Sequence, residues 1–230
     1  MLVPRARAMS APVQSILDAL LVAELVSIAA YHAALTNVAI VHDTRLGGPG
    51  ADPHRPDTWM GGIPAHMKDM LSILDAEVKH ASALRAAGAR APVERAYLPR
   101  ATMARLGSIA EPGSFLATMD TLERTAAAAY LAAAAALFSA GQHVFATTLA
   151  RIMGVEAEHR LLCRLVDGTV AVSGRPLPPS PPPDTVAFTH TALAPYLTAG
   201  PGKVAVGVPP VAATRALVGV YATRIVTSYP

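Results

Sequence analysis

Glu156-Ala157-Glu158-His159 is one of two Glu-x-x-His stretches in this chain, and Glu77-Val78-Lys79-His80 is the other. Each lies in a segment whose apolar residues recur every three to four positions, a period that indicates an amphipathic helix. Residues three positions apart in a helix lie one turn apart on the same face. Each stretch therefore presents a carboxylate beside an imidazole, and the two stretches together could bind a pair of metal ions.

Two further glutamates, Glu24 and Glu123, lie near the middle of two other apolar helical segments. Their helical neighbours are apolar or aromatic, so the carboxylates are predicted to point into the core. An unpaired carboxylate there is costly or becomes protonated, and divalent cations would remove that cost. One Glu from each of two helices plus Glu-x-x-His from each of two others is typical of di-iron and di-manganese bundles. The alternative is a metal-free bundle in which the same six groups hydrogen-bond each other.

Two tyrosines repeat the same pattern, since Tyr31 follows Glu24 by seven residues and Tyr130 follows Glu123 by the same interval. Seven residues make two turns with about 20° of drift, so each tyrosine is predicted to share the face of its glutamate. The order Glu-x6-Tyr, then Glu-x-x-His, thus occurs twice, which we interpret as an internal repeat of two helical hairpins. Both packing and a catalytic role beside the metal ligands remain open for the tyrosines.

Helix start and stop signals predict an all-α fold with four long helices and a long connection between the first two. The predicted helices run from Pro12 to Ile40, from Ile63 to Gly88, from an N-cap at Ser114 to Ser139, and from Gln142 to Val166. Gly154 inside the last helix is interpreted as a point of close packing near the site. Residues 1–168 are predicted to form the bundle, and 169–230 a proline-rich extension that packs on the bundle or on a partner.

Together these motifs resemble the ferritin-like superfamily, most closely its branch of ferritin-like, desiccation-related proteins. The resemblance covers roughly residues 12–168 and rests on the Glu24 helix, Glu77–His80, the run Leu122–Tyr130 and Val155–His159. It implies an antiparallel bundle with a dinuclear iron or manganese centre ligated by Glu24, Glu77, His80, Glu123, Glu156 and His159. Many members of that branch carry a twin-arginine export signal, and none is visible here.

Composition excludes several other classes of protein. The net charge of +3 arises from 19 scattered Lys and Arg residues, which argues against a nucleic-acid partner. A single cysteine, Cys163, rules out an internal disulfide or a cysteine zinc cluster, and is expected to be a small buried side chain. The apolar stretches 19–41 and 125–140 are interrupted or too short to span a membrane. The expected location is the cytoplasm, or outside it if a signal was removed.

Two functions fit these expectations. The first is redox chemistry with dioxygen or peroxide at two Fe or Mn ions, in a ferroxidase, peroxidase, catalase-like enzyme or oxidase. The second is a non-enzymatic protein that protects against stress or desiccation, with a metal-stabilised or metal-free polar core. In that case the apolar, proline-rich tail would act by association, and a homodimer is one such state.

Overall fold

The computed structural model describes residues 11–52, 65–169 and 184–225. Its elements in chain order are α1 (Ala11–Leu35), α2 (Val38–Val41), α3 (Ala65–Ala86), β1 (Arg95–Pro99), α4 (Arg100–Ala104), α5 (Phe115–Ser139), α6 (His143–Val166), α7 (Thr185–Leu197), β2 (Lys203–Gly207) and α8 (Val211–Ile225). The proline run 176–183, residues 53–62 of the long first connection and the predicted helix start at Ile63 lie outside the described residues.

Helices α1, α3, α5 and α6 form the predicted bundle, so the all-α ferritin-like fold is confirmed. α1 packs along α3 and α5 packs along α6, which gives two hairpins that face each other. Ser114 caps α5 as predicted, because its hydroxyl accepts a hydrogen bond from the backbone N–H of Ala117. Gly141 follows α5 with a φ of 73°, a conformation that glycine adopts at little cost.

The first helix ends at Leu35 and not at the predicted Ile40. Asn37 interrupts it with an extended backbone, at φ −97° and ψ 118°, and caps the short α2. Its side-chain oxygen accepts a hydrogen bond from Ala39, and its amide nitrogen donates to the carbonyl of Met103. An asparagine that bonds to nearby backbone competes with helix continuation, and the apolar period across this break concealed it.

A two-stranded antiparallel sheet, which the sequence did not predict, ties the linker to the C-terminal part of the chain. β1 pairs with β2 in a register that runs from Arg95 opposite Gly207 to Pro99 opposite Lys203. Ala96 and Leu98 are buried on one side of β1. Five residues of alternation beside prolines are too weak a pattern to predict a strand, and the partner strand lies far away in sequence.

The C-terminal part also holds two helices, where the sequence analysis expected a proline-rich extension. α7 packs against α1 and α5, and α8 packs against α3. Asp184 caps α7 by accepting hydrogen bonds from two backbone N–H groups, and Pro195 near its end obscured this helix in the sequence. The described residues after 184 therefore pack on the bundle, while the domain boundary at residue 168 stays a prediction.

The bundle core explains the apolar character of α1. Among the described helices, α1 alone is long and apolar enough to cross a membrane, and 78% of its most apolar window is buried inside the protein. Seventeen of its residues, including Glu24 and Tyr31, are buried. Its apolar surface is thus used in packing against α3, α5 and α7.

Candidate metal centre

The structure brings all six predicted ligand residues together at one level of the bundle. They form two overlapping groups whose potential ligand atoms lie within 4.8 Å of one another. One group is Glu24, Glu77, His80 and Glu156, and the other is Glu77, Glu123, Glu156 and His159. Glu77 and Glu156 belong to both groups, so the geometry suits two adjacent cations that share two carboxylates.

The two Glu-x-x-His helices cross-connect at this level. Nδ1 of His80 lies 2.8 Å from Oε1 of Glu156, and Nδ1 of His159 lies 2.8 Å from Oε1 of Glu77. The glutamates of the other two helices are farther away, with Glu24 Oε2 3.6 Å from the His80 nitrogen and Glu123 Oε2 3.5 Å from the His159 nitrogen. His159 also lies 3.7 Å from Oε2 of Glu156, so His80 faces two carboxylates and His159 faces three.

The polar atoms at this level lack the partners that burial demands. The six residues are at most 8% exposed, and four of them at most 1%. The 2.8 Å contacts of His80 and His159 join atoms that have no hydrogen-bond partner. The atoms without a hydrogen-bond partner include Glu24 Oε2, Glu77 Oε1, His80 Nδ1, Glu123 Oε2, both Glu156 oxygens and His159 Nδ1. Every predicted ligand residue thus has at least one buried oxygen or nitrogen without a hydrogen-bond partner, which a metal-free core rarely tolerates.

Burial and mutual contact shift the pKa values of several groups in this cluster. Burial raises the pKa of Glu77 well above its usual range, and the neighbouring carboxylates of Glu156 and Glu24 raise it further. For His80 burial acts the other way, but the carboxylates of Glu156 and Glu24 outweigh it and raise the pKa to about 10. Protons on Glu77 and His80 offset the negative charge of the neighbouring carboxylates. A cation that binds to these groups must displace those protons.

Glu123 and Glu24 each accept a hydrogen bond from a tyrosine on the opposite hairpin. The hydroxyl of Tyr31 donates to Oε1 of Glu123 at 2.7 Å, and the hydroxyl of Tyr130 donates to Oε1 of Glu24. In both glutamates the unsatisfied atom is the other oxygen, Oε2, which faces the centre. Burial keeps the pKa of both tyrosines well above normal, so the hydroxyls remain donors. Sequence spacing predicted the shared face but not this cross-pairing.

We expect Tyr31→Phe and Tyr130→Phe each to weaken metal binding by about tenfold to a hundredfold, as loss of an outer hydrogen-bond partner to a ligand usually does. The freed Glu123 or Glu24 oxygen would be left buried and unpaired. Titration calorimetry with Mn²⁺ measures the effect. Tyr97→Phe in β1, away from the centre, is the matched control, and equal affinities in all three variants would contradict the role.

A buried ion cluster that the sequence analysis missed lies beside the centre. Oδ1 of Asp120 accepts hydrogen bonds from Nε of Arg160 at 2.9 Å and from Nε of Arg164 at 3.2 Å. All three residues are at most 9% exposed. Asp120 precedes Glu123 by one turn and Arg160 follows Glu156 by one turn, and that spacing was the available signal. The cluster ties α5 to α6 and so fixes the level of the ligands that the two helices carry.

Asp120→Ala is expected to lower the free energy of unfolding by about 3–5 kcal/mol, because it leaves two guanidinium groups buried beside each other without their carboxylate. Urea denaturation of the metal-free protein measures it. Asp75→Ala serves as the control, since Asp75 pairs with the exposed Lys79 on the surface of α3 and should change stability by less than about 1 kcal/mol. Similar losses of unfolding free energy in both variants would show that the buried cluster stabilises the fold no more than a surface ion pair does.

Two smaller expectations have different outcomes. Cys163 is fully buried, as predicted, and its sulfur lies 3.4 Å from the Tyr31 hydroxyl, outside both groups of potential ligands. Gly154 does not mediate close packing near the site, so that interpretation was wrong. It lies on the exposed side of α6, and a Cβ atom built there would meet nothing within 4 Å.

Comparison with known proteins supports the same assignment as the geometry. The sequence profile of the ferritin-like domain matches residues 13–168, which is the segment that holds all six potential ligands. No curated protein and no solved structure gave a match. The profile covers well over half of the chain and coincides with the four-helix bundle and its buried Glu and His cluster. This protein therefore belongs to the ferritin-like domain family.

Proposed function

We propose that the buried cluster binds two iron or manganese ions and carries out redox chemistry with dioxygen or hydrogen peroxide. The observation that supports it most directly is the set of seven unsatisfied, buried oxygen and nitrogen atoms contributed by all six residues. Carboxylate-rich ligation with two imidazoles suits Fe²⁺ and Mn²⁺. When bound, such ions supply the electrons that reduce dioxygen or peroxide.

The protein's own residues would position and insulate the reaction. Glu77 and Glu156 are placed to bridge, because each lies within reach of both groups of ligand atoms. Glu24 and Glu123 are oriented by the hydroxyls of Tyr130 and Tyr31. The apolar residues of α1 and α5 around these glutamates exclude bulk water, which strengthens electrostatic interactions at the centre.

The tyrosines are also proposed to exchange protons and electrons with the centre. The Tyr31 hydroxyl bonds to Glu123 and lies beside the Cys163 sulfur, so two oxidisable side chains are in contact. The Tyr130 hydroxyl bonds to Glu24 on the other side. A proton leaving either phenol has a carboxylate within hydrogen-bond distance to receive it.

Stopped-flow mixing tests this function. Anaerobic protein loaded with Fe²⁺ and mixed with air or hydrogen peroxide should show a near-ultraviolet absorbance change that depends on protein-bound iron. The matched variant Glu156→Gln should lose the change, whereas Glu158→Gln, two residues away and exposed, should retain it. Iron that binds tightly but does not oxidise faster than free Fe²⁺ would contradict the redox proposal and leave the metal-stabilised bundle.

That second function has one observation in its favour. The short contacts of His80 with Glu156 and of His159 with Glu77 let each imidazole interact directly with a buried carboxyl group. A non-enzymatic, protective bundle could use this polar core for stability alone. With a metal-free core, this function predicts equal thermal stability with and without Mn²⁺, whereas binding of ions at the cluster predicts a higher midpoint on metal loading.

A further inference from the structure

The outward side of α6 carries a row of exposed residues with the spacing of a helix-pairing seam. The α6 stripe comprises Val144, Thr147, Arg151, Gly154, Glu158, Leu161 and Leu165, which follow one another at alternating intervals of three and four residues. All seven are exposed. This alternation keeps side chains on one line of a helix and is the spacing by which helices pack along each other.

The apolar members of the stripe are unusually open to solvent. Val144 is 81% exposed, Leu161 51% and Leu165 44%, and these are three of the six large hydrophobic residues that are exposed in the described part of the chain. Single exposed hydrophobic residues are common on protein surfaces, whereas several on one line of a helix indicate a binding surface. The other sides of α6 pack against α5 and α3.

Gly154 at the centre of the stripe has no explanation within the folded chain. A glycine inside a helix costs roughly 1 kcal/mol relative to alanine. Its φ is ordinary for a helix, and a Cβ atom there would meet nothing within 4 Å. A glycine at this position is useful where a second helix crosses closely, because a missing side chain lets the two backbones approach.

The charges of the stripe are complementary to a reversed copy of itself. Arg151 and Glu158 lie on either side of Gly154, and neither forms an ion pair with any residue in the described ranges. A two-fold axis at Gly154 would place Arg151 against Glu158 of the partner subunit. The same axis would place Val144 against the partner's Leu165 and Thr147 against the partner's Leu161.

We propose that the α6 stripe is the interface of a homodimer in which two copies of α6 cross antiparallel at Gly154. The interface is isologous, so every favourable pair occurs twice. It leaves the ligands Glu156 and His159 on the opposite, buried side of α6. The inference does not depend on the redox function or on the metal.

Sedimentation velocity of the full chain and its charge variants tests the pairing. The wild-type chain is expected to sediment as a dimer at micromolar concentration. Glu158→Arg places like charges opposite each other twice and should weaken association by at least about tenfold, and Arg151→Glu should do the same. The double variant Arg151→Glu, Glu158→Arg restores opposite charges and should restore the dimer. A monomeric wild type, or a dimer whose association is unchanged by either single charge reversal, would overturn the proposal.

A cysteine at the crossing point tests the geometry directly. Gly154→Cys should form a disulfide-linked dimer under mild oxidation, since a close crossing brings the two α-carbons within disulfide range. Thr147→Cys is the matched control, because its two copies would lie about 21 Å apart along the helices. The native Cys163 is buried and cannot contribute from the surface. Equal cross-linking of the two variants, or none for Gly154→Cys, would refute the crossing.

Discussion

Glu156→Gln should abolish binding of both metal ions. Glu156 belongs to both groups of ligand atoms, both of its oxygens are unsatisfied, and the residue is fully buried. An amide keeps the shape of the side chain but removes the charge that two adjacent cations share. We expect metal affinity to fall by more than about a hundredfold, which is the upper range for losing only a hydrogen-bond partner of a ligand. Metal analysis after dialysis, expressed as ions per chain, measures it.

Glu158→Gln provides the control within the same Glu-Ala-Glu-His stretch. Glu158 is exposed and belongs to neither group, so this variant should keep the wild-type metal content. Comparison with Glu24→Gln adds a finer expectation. Glu24 belongs to one group only, so its loss should affect one ion more than the other. Unchanged metal content in Glu156→Gln would remove the basis for a dinuclear centre here.

Metal loading should raise the thermal midpoint of unfolding by about 10–20 °C. Each ion present at about a hundred times its dissociation constant stabilises the native state by about 2.7 kcal/mol, so two ions contribute about 5 kcal/mol. For a chain of this size 1 kcal/mol shifts the midpoint by about 2–4 °C. Stabilisation arises because the unfolded chain cannot assemble ligands from four helices. Calorimetry with and without Mn²⁺ measures it.

Chelation should reverse the gain, and the Glu156→Gln variant should show none. A calcium control is informative, because Ca²⁺ prefers six to eight oxygen ligands and the two imidazoles are poor partners for it. Equal midpoints with and without Mn²⁺ would contradict metal binding by the folded state. That result would also favour the protective bundle with a metal-free polar core.

Much of the candidate centre was predictable because its motifs are local. Glu77 and His80 lie on one helix face by spacing alone, and so do Glu156 and His159. The burial of Glu24 and Glu123 followed from the apolar residues around them, and the structure shows both at most 1% exposed. In contrast, Asp120 was overlooked although it shares the face of Glu123. Its arginine partners lie on α6, and no local sequence pattern relates them to Asp120.

The fold divides in the same way. The four long helices were predictable from apolar period and from caps such as Ser114. The break at Asn37, the β1 and β2 pair and the helix α7 were not, because each depends on a partner distant in sequence. Asn37 bonds to Met103, and β1 pairs with a strand beyond the last bundle helix.

Local spacing predicted the four long bundle helices, their buried faces and the six acid and imidazole side chains, because the helical period relates residues within a few positions. Which of those side chains face each other depends on how the helices pack in three dimensions. Tyr31 meets Glu123 rather than Glu24, and His80 meets Glu156 rather than Glu77 at 2.8 Å. Such pairings depend on how two hairpins are rotated and shifted against each other. That rotation is set by side-chain packing across the whole core, which no local pattern encodes.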